Sequence, residues 1–308
     1  MLGGCASGGP QLEAIDTLGY PERVELTDTP FFPQREYQCG PAALATVLAA
    51  SEVSVTADAL VPEVFLPGRQ GSLQSELLAA TRSRDRLPYV LPSRLDALLA
   101  QLAAGHPVLV MQKLGAGPWP GWHYAVLFGY DATADRLLLR SGLEPRQEVS
   151  VARFVTTWDR AGRWAMVALQ PGELPAEPEL LRYLEAAAGL EAVGRLDAAD
   201  RAYQAAVREW PQEPLPRLGL ANLAYARGDL REAERSLRAA IEQAPQDVAA
   251  RNNRAEVLLQ LGCPASARRE IESAQALAAG GPHAAAVAAS ATRIAPVQGP
   301  DGPGCPAD

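Results

Sequence analysis

The pattern of hydrophobic and polar positions changes near residue 172. Before that point, apolar runs of helical length come first, and shorter apolar runs of strand length follow them. The helical runs cover residues 40–50, 72–83 and 93–104, and the strand runs cover residues 107–112, 124–130, 136–140 and 164–169. Helices followed by antiparallel strands predict an α+β domain over residues 26–172. Ser72 and Ser93 are the expected N-caps of the second and third helices.

After residue 179 the strand pattern stops and the chain repeats with a period of 34 residues. Glycines recur at positions 194, 228 and 262, and alanines recur in two series, at 199, 233 and 267 and at 206, 240 and 274. A glycine at each turn and small residues where paired helices meet are typical of tetratricopeptide repeats. Residues 179–279 are therefore predicted to form three repeats of an all-α solenoid. Its concave surface either binds a peptide or protein or serves only for packing and spacing.

Two segments follow neither pattern. Residues 173–178 are rich in proline and predict a linker. Residues 280–308 are rich in Ala, Gly and Pro and predict a disordered tail. Cys263 follows a repeat turn and Cys305 lies in this tail. In an oxidising compartment the two cysteines are able to pair, and two inert thiols are the other interpretation.

Composition and charge argue against several classes of function. The chain has 308 residues and a formal net charge of −8, so we expect no nucleic-acid partner held by phosphate neutralisation. No apolar run approaches the ~18 residues that a membrane span needs. The four cysteines stand singly and the three histidines lie far apart in sequence, so no metal site is predicted.

The first residues resemble a lipidation signal. The string at residues 2–5 has the Leu, two small residues and Cys of a bacterial lipobox, in which the cysteine is lipidated. Residues 1–25 are thus predicted to be a lipobox and flexible leader, with Cys5 as the lipidation site. This predicts a periplasm-facing membrane lipoprotein attached only through its lipid anchor. The alternative is an ordinary flexible N-terminus of a cytoplasmic protein.

The strongest candidate for chemistry is Cys39, which precedes Gly-Pro at the start of an apolar helix. The free N–H groups and partial positive charge of a helix N-terminus stabilise a thiolate, so we expect a lowered pKa for this thiol. Pro41 fits the first helical turn because it has no N–H to leave unpaired. Gly40 presents no side chain to an approaching substrate carbonyl. Together these residues predict a nucleophilic cysteine.

A thiolate nucleophile needs a base and a hydrogen-bond donor for the developing oxyanion. Gln34, five residues before Cys39, is placed to donate its side-chain amide beside the Cys39 backbone N–H. Among the histidines, His106 follows a helix and His283 lies in the tail, whereas His123 opens a predicted strand. His123 is therefore the preferred base.

These motifs resemble a known family. Residues 31–48, with Gln34 and Cys-Gly-Pro-Ala-Ala-Leu from Cys39, and residues 123–131, with His-Tyr-Ala-Val from His123, resemble the double-glycine leader peptidases that process bacteriocins. The similarity covers residues 26–172 and is greatest to C-39-like lipoproteins with a tetratricopeptide tail. It implies a papain-like cysteine peptidase domain.

The resemblance also implies a mechanism. Cys39 corresponds to the nucleophile, His123 to the general base and Gln34 to the oxyanion-hole residue. The implied reaction is hydrolysis of a peptide bond through a thioacyl-enzyme. No cofactor is implied, because this chemistry needs only a reduced thiol.

The aspartate that orients the histidine in this family is absent. Ser141 stands at its position on the strand after the histidine strand. Asp131 lies about 26 Å from His123 along one strand, since each residue adds ~3.3 Å. The predicted turn at residues 131–135 brings Ser141 and Glu144 back beside the histidine, so these two are the candidates for the third residue.

Two classes of function follow from these residues. The preferred one is a periplasm-facing cysteine peptidase whose repeats recruit a protein partner or a peptide or protein substrate. The alternative is a catalytically weak or inactive papain-like binding module that acts as a scaffold, which the missing aspartate favours. An amidase or acyltransferase would use the same thiol chemistry.

Overall fold

The computed structural model describes residues 19–115 and 121–306. The chain divides into two compact units, Met1–Ala198 and Ala199–Asp308, called unit 1 and unit 2 below. The division falls inside the first predicted repeat rather than at residue 179. Cys5 and the predicted lipobox lie outside the described residues. Within the described part, none of the helices is both long and apolar enough to span a membrane.

Unit 1 mixes helices and strands, which confirms the predicted α+β class. Its strands are β1 (Arg23–Glu25), β2 (Leu87–Val90), β3 (Val108–Leu114), β4 (Gly121–Asp131), β5 (Arg136–Ser141), β6 (Glu144–Ser150) and β7 (Ala165–Leu169). Its helices are α1 (Cys39–Ala50), α2 (Ala57–Val64), α3 (Gln74–Arg82), α4 (Leu95–Ala103), α5 (Val151–Asp159) and α6 (Leu180–Ala192). The sequence pattern did not predict β1, β2, β6, α2 or α5.

All strands of unit 1 form one antiparallel sheet in the order β2-β7-β3-β4-β5-β6, with β1 paired to β4 outside this path. In the β3–β4 pair, Gln112 lies opposite His123. Successive side chains of a strand point to opposite faces, and cross-strand partners point to the same face. Gln112 and His123 therefore share one face of the sheet, and Met111 and Tyr124 share the other.

The face that carries Met111 and Tyr124 packs against α1. From Ala42 onward this helix consists of Ala, Leu and Val apart from Thr46, and both Leu44 and Leu48 are fully buried in the core formed with the sheet. Full burial of a leucine side chain stabilises the fold by about 1.5–3 kcal/mol. The core therefore fixes the start of α1, and Cys39 with it, against strand β4.

The opposite face of the sheet packs against α5. Phe154 and Trp158 on this helix stack with ring centroids 5.8 Å apart, and both are fully buried. The Gln112 side-chain amide donates a hydrogen bond of 2.7 Å to the Thr157 hydroxyl, which joins β3 to α5. The sheet near His123 is thus covered on both faces.

The predicted N-caps Ser72 and Ser93 are wrong. The caps of α3 and α4 are Leu73 and Arg94, neither of which makes a side-chain capping bond. The Ser72 hydroxyl is instead buried and has no hydrogen-bond partner in the described part of the chain, and the Ser93 carbonyl accepts a hydrogen bond from Arg163. Tertiary contacts, not local capping, decide the start of both helices.

The predicted linker is held by side chains of unit 1. Gln101 on α4 donates to the Ala176 carbonyl at 2.8 Å and accepts from the Ala176 N–H at 3.2 Å. The Tyr183 hydroxyl donates to the Glu173 carbonyl at 3.0 Å. Three backbone groups that a free linker would leave to water are therefore satisfied within unit 1.

Unit 2 is all helical, as the repeat pattern predicts. After α7 (Leu196–Glu209), which crosses the division, come α8 (Leu215–Ala226), α9 (Leu230–Gln243), α10 (Val248–Gln260), α11 (Pro264–Ala278) and α12 (Ala284–Ile294). The repeating glycines 194, 228 and 262 have φ of +76°, +77° and +78°, a left-handed conformation that glycine adopts without strain. The repeating alanines are all buried, which allows close helix packing.

The predicted disordered tail is wrong. Residues beyond 280 form α12 and then return to α11. Asp301 accepts hydrogen bonds from the backbone N–H groups of Ala265 and Ser266 at the start of α11. A disulfide joins Cys263 to Cys305, with Cα atoms 5.8 Å apart, so the two cysteines are paired. Composition alone does not show that such a segment has partners within the fold.

Candidate active site

Cys39 lies at the first position of α1, as the sequence predicts. The preceding Gln38 makes no side-chain capping bond, so its side chain does not occupy the N–H groups at the helix start. The Cys39 side chain faces the backbone N–H of Tyr124 on β4 as well as the N–H groups of Gly40 and of Cys39 itself. These donors favour a thiolate. Cys39 is the free cysteine of the described residues.

The expected lowering of the Cys39 pKa is wrong in sign. Burial raises the pKa of this thiol, and the three backbone N–H groups oppose the rise only in part. Only 8% of Cys39 is exposed, because α1 is packed into the core from its first residue. Desolvation of the charged form therefore outweighs the helix N-terminus.

Gly40 has a different role from the one expected. A Cβ at this position would lie 2.2 Å from the Ser72 hydroxyl oxygen, so only glycine allows this close approach. The Tyr124 hydroxyl in turn donates to the Ser72 carbonyl at 3.3 Å. Gly40 thus permits the packing that holds the start of α1 near β4, rather than providing an open path for substrate.

Gln34 and Cys39 line the same small cavity, together with Ser141 and Gly142 from the end of β5. Its volume of about 10 Å³ is close to what one water molecule needs. The Gln34 backbone N–H donates to the Gly142 carbonyl at 3.1 Å, which ties the segment before α1 to the β5–β6 turn. Residues far apart in sequence therefore converge beside the thiol.

His123 is bonded to Ser141. The distance from its Nε2 to the Ser141 hydroxyl oxygen is 2.9 Å. Ser141 precedes a two-residue turn and pairs with Glu144 across it. Glu144 is exposed and makes no side-chain hydrogen bond or ion pair with another described residue. Of the two candidates for the third residue, the structure brings Ser141 to the histidine.

Burial lowers the pKa of the His123 imidazole. In the described part of the chain no hydrogen bond joins this ring to the Cys39 thiol, although Tyr124, the next residue, donates its backbone N–H toward the sulfur. Because Nε2 faces Ser141, Nδ1 is the ring nitrogen left for other partners. Both groups of the candidate pair are neutral at pH 7, with the thiol protonated and the imidazole unprotonated.

The other two histidines lie elsewhere. His106 is 3.8 Å from the Glu173 carboxylate; burial lowers its pKa and Glu173 opposes this. His283 is the N-cap residue of α12 in unit 2. Within the described residues no group of three or more His, Cys, Asp or Glu side chains is arranged to hold a metal ion.

Comparison with known families matches both units. Residues 26–166 match the model of the Peptidase C39-like family, and residues 190–247 match a tetratricopeptide-repeat model. No curated protein matches the chain.

Several solved structures are similar to part of the chain. A C39-like peptidase from Bacillus anthracis is 18% identical, and the match covers 49% of this chain and 98% of that one, with a TM-score of 0.40. The peptidase domain of Streptococcus ComA, a bifunctional ABC transporter, is 18% identical over 46% of this chain and 98% of its own, with a TM-score of 0.38. The Yersinia enterocolitica type III secretion chaperone SycD, solved with a peptide of the translocator YopD, is 23% identical. That match covers 38% of this chain and 92% of that one, with a TM-score of 0.36.

Proposed function

We propose that this chain, whose residues 26–166 match the Peptidase C39-like family model and whose residues 190–247 match a tetratricopeptide-repeat model, is a cysteine peptidase whose repeats bind a protein partner or substrate. One observation carries the proposal. Gln34, Cys39 and Ser141 line one small cavity, and Ser141 is bonded to His123. A nucleophile and an oxyanion donor thus line one cavity, and the candidate base is bonded to a residue of its wall.

In the proposed reaction Cys39 attacks the carbonyl carbon of the scissile peptide bond, while its proton passes to His123. The Cys39 backbone N–H and the Gln34 side-chain amide donate hydrogen bonds to the oxyanion that forms. The carbon–nitrogen bond then breaks, and His123 returns the proton to the leaving amine. Water hydrolyses the thioester, which releases the acid product and restores the thiol.

The pKa directions support proton transfer during attack rather than a thiolate formed beforehand. Burial raises the pKa of Cys39 and lowers that of His123. A neutral imidazole is the form that accepts a proton, so His123 acts as a general base in this scheme. Ser141 positions the ring through a neutral hydrogen bond and, unlike an aspartate, adds no charge to stabilise the imidazolium.

The test is alkylation of Cys39 by iodoacetamide across pH, located by mass spectrometry, together with cleavage of a peptide library. At pH 7 we expect alkylation in the wild type to be at least about tenfold faster than in His123→Ala, because only the wild type has the base. The two profiles converge only well above the ordinary thiol pKa of ~8.5, because burial raises the pKa of Cys39 and the thiol ionises without help only at higher pH.

His106→Ala is the matched control, since His106 is also partly buried in unit 1 but pairs with Glu173. It is expected to leave the alkylation profile unchanged. If the rates for His123→Ala and the wild type coincide at every pH, and no peptide in the library is cleaved, the peptidase proposal is wrong.

A non-catalytic binding module is the second candidate. It is favoured by the raised pKa of Cys39 and by the absence, in the described residues, of a hydrogen bond between the thiol and His123. A binding module would keep its affinity for peptides while cleaving none of them. Measuring peptide binding alongside cleavage therefore separates the two candidates.

The repeats offer a cavity for a partner within unit 2. It has a volume of about 390 Å³ and lies among α8, α10 and α12. Asn222 and Asn253 line it beside the ion pair between Arg293 and Glu256. Side-chain amides both donate and accept hydrogen bonds, which suits an extended peptide backbone. This supports recruitment of a protein partner or substrate by the repeats.

A lipid anchor at Cys5 completes the proposal. The disulfide between Cys263 and Cys305 supports an oxidising compartment such as the periplasm, because cytosolic thiols are kept reduced. When the protein is expressed in a bacterial host with an alkyne-labelled fatty acid, the label and the membrane fraction are both expected to be lost in Cys5→Ser. An unlabelled wild type found only in the cytosol would contradict the anchor.

A further inference from the structure

A second cavity lies beside the candidate active site, on the face of the sheet that packs against α5. It has a volume of about 80 Å³ and is bounded by Gln112 and Leu114 of β3 and by residues of β6 and α5. Ser141 lies in its wall and also in the wall of the cavity that contains Cys39. A ligand in this second cavity, called the Arg153 cavity below, would therefore sit next to the His123–Ser141 pair.

The Arg153 cavity combines apolar walls with one positive charge. Leu114, Val149 and Phe154 supply the apolar surface, and Phe154 is fully buried. Among the described residues that line the cavity, Arg153 carries the only charge. A ligand group that fits here has an aliphatic part and an anionic end, because an arginine pairs best with a carboxylate or phosphate.

Among residues 19–115 and 121–306 the Arg153 guanidinium has no carboxylate partner; the hydrogen bonds of this residue are made by its backbone, whose N–H donates to the Ser150 hydroxyl and whose carbonyl accepts from the Thr157 hydroxyl. Arg163, by contrast, forms an ion pair with Asp159 of the same helix. The guanidinium of Arg153 is therefore free to bind an incoming anion without first breaking an internal ion pair.

The polar wall opposite is already ordered. Gln112 is only 6% exposed, and its side-chain amide donates to the Thr157 hydroxyl at 2.7 Å. Thr157 in turn donates to the Phe154 carbonyl at 2.9 Å. Because Gln112 is also the cross-strand partner of His123, this wall is rigidly connected to the candidate base. Preorganised polar groups lose little entropy when a ligand binds.

From these observations we propose that the Arg153 cavity is a substrate subsite that binds a carboxylate of the peptide close to the scissile bond, with Arg153 as the specificity-determining residue. The carboxylate belongs either to an acidic side chain or to a free peptide C-terminus. The inference rests on the proposed peptidase function and adds the chemical class of its substrate.

The test uses decapeptides with Glu, Gln or Lys at each position in turn, each made with a free and with an amidated C-terminus. For the wild type we expect one position, or the free C-terminus, to raise kcat/KM about threefold, because Arg153 is exposed and water screens its pair with a carboxylate. Arg153→Gln is expected to remove this preference, and Arg153→Glu to reverse it in favour of Lys. Arg160→Gln, an exposed arginine at the other end of α5, is the control and keeps the preference.

The two sources of the carboxylate give different results. A side-chain subsite shows a Glu preference that survives amidation, whereas a C-terminal subsite loses its preference on amidation and ignores Glu. A wild type without any carboxylate preference, or a preference that Arg153→Glu leaves unchanged, overturns the proposal.

A binding measurement keeps this test independent of catalysis. Fluorescein-labelled versions of the same decapeptides are titrated into the Cys39→Ala variant and followed by fluorescence anisotropy. We expect about threefold tighter binding of the carboxylate form and loss of that difference when Arg153→Gln is added. If no peptide is cleaved but this difference is present, the peptidase proposal fails and the subsite stands. Equal binding of both forms overturns the subsite.

Discussion

The two units use buried polar groups in opposite ways. In unit 2, Glu234 and Arg254 are 3% and 7% exposed, and they form an ion pair of 2.9 Å. Glu270 bonds both Arg254 and Arg251, which extends the pair into a network. In unit 1, the buried Cys39 and the partly buried His123 face no opposite charge among the described residues, and desolvation shifts the pKa of each toward its neutral form.

This difference distinguishes buried polar groups that stabilise the fold from buried polar groups that are able to react. A buried charge is tolerated when its partners compensate for lost hydration. Removing one partner from such a network destabilises the fold strongly. A buried thiol and imidazole with shifted pKa values keep their capacity to exchange a proton, which is common at functional sites. Four substitutions test this contrast between the two units, and they are given in order from the largest expected effect to the smallest.

Cys39→Ala is expected to reduce peptide cleavage by at least about a thousandfold, because the nucleophile of the proposed reaction is removed. Unfolding of unit 2, followed by circular dichroism, should not change, since the thiol belongs to unit 1. Cleavage that stays within tenfold of the wild type would show that another group performs the chemistry.

Arg254→Ala is expected to cost about 3–5 kcal/mol of unfolding free energy, because it removes the closest partner of the buried Glu234 and one of the two arginine partners of Glu270. Chemical denaturation measures this loss, and iodoacetamide alkylation of Cys39 should be unaffected. Arg238→Ala is the matched control: Arg238 lies 3.9 Å from the same Glu234 but is 41% exposed, so its loss should cost under about 1 kcal/mol. Equal losses of unfolding free energy in the two variants would show that burial does not determine the contribution of an ion pair to stability.

Cys305→Ala is expected to lower the unfolding free energy of the wild-type protein by about 2–4 kcal/mol, because the disulfide limits the freedom of the unfolded chain. Adding a reductant to the wild type should produce the same shift in the denaturation midpoint. In Cys305→Ala itself the reductant should have no further effect. Identical midpoints for oxidised and reduced wild type would argue against a stabilising disulfide.

Ser141→Ala is expected to have the smallest effect, a decrease in kcat of roughly fivefold, since one neutral hydrogen bond contributes about 1 kcal/mol. KM should stay the same because the change affects the position of His123. Ser141→Asp should raise kcat and shift the acidic limb of the kcat–pH profile to higher pH, because a carboxylate raises the pKa of the imidazole. Glu144→Gln is the control and should leave kcat and the pH profile unchanged. If Ser141→Asp does not shift the pH profile, Ser141 does not position His123.

The sequence was sufficient to predict the structure where the pattern is local or periodic. Small and aliphatic residues from Gly40 onward predict a buried helix, and Cys39 does lie at its start. The 34-residue spacing of Gly194, Gly228 and Gly262 predicts turns, and all three have the positive φ that such turns need. Turning the chain between β4 and β5 also brings Ser141 to His123, as strand geometry predicts.

Long-range packing accounts for what the sequence did not show. The tail beyond residue 280 is Ala- and Gly-rich, yet Asp301 and Cys305 tie it to α11. Ser72 is a plausible N-cap by its type, but the chain buries its hydroxyl against Gly40. Arg153 has no motif around it, and only the approach of α5 to β3 gives its side chain a cavity to line.

By itself, then, the sequence determined which residues are candidates for chemistry, where the helices of the repeats turn, and that an α+β domain precedes them. These depend on residue type and on spacing along the chain. Only the tertiary structure decided the sign of the Cys39 pKa shift, the choice of Ser141 over Glu144 and the existence of the Arg153 cavity. Each of these depends on which atoms lose water and which distant strands and helices meet, and spacing along a chain does not specify that.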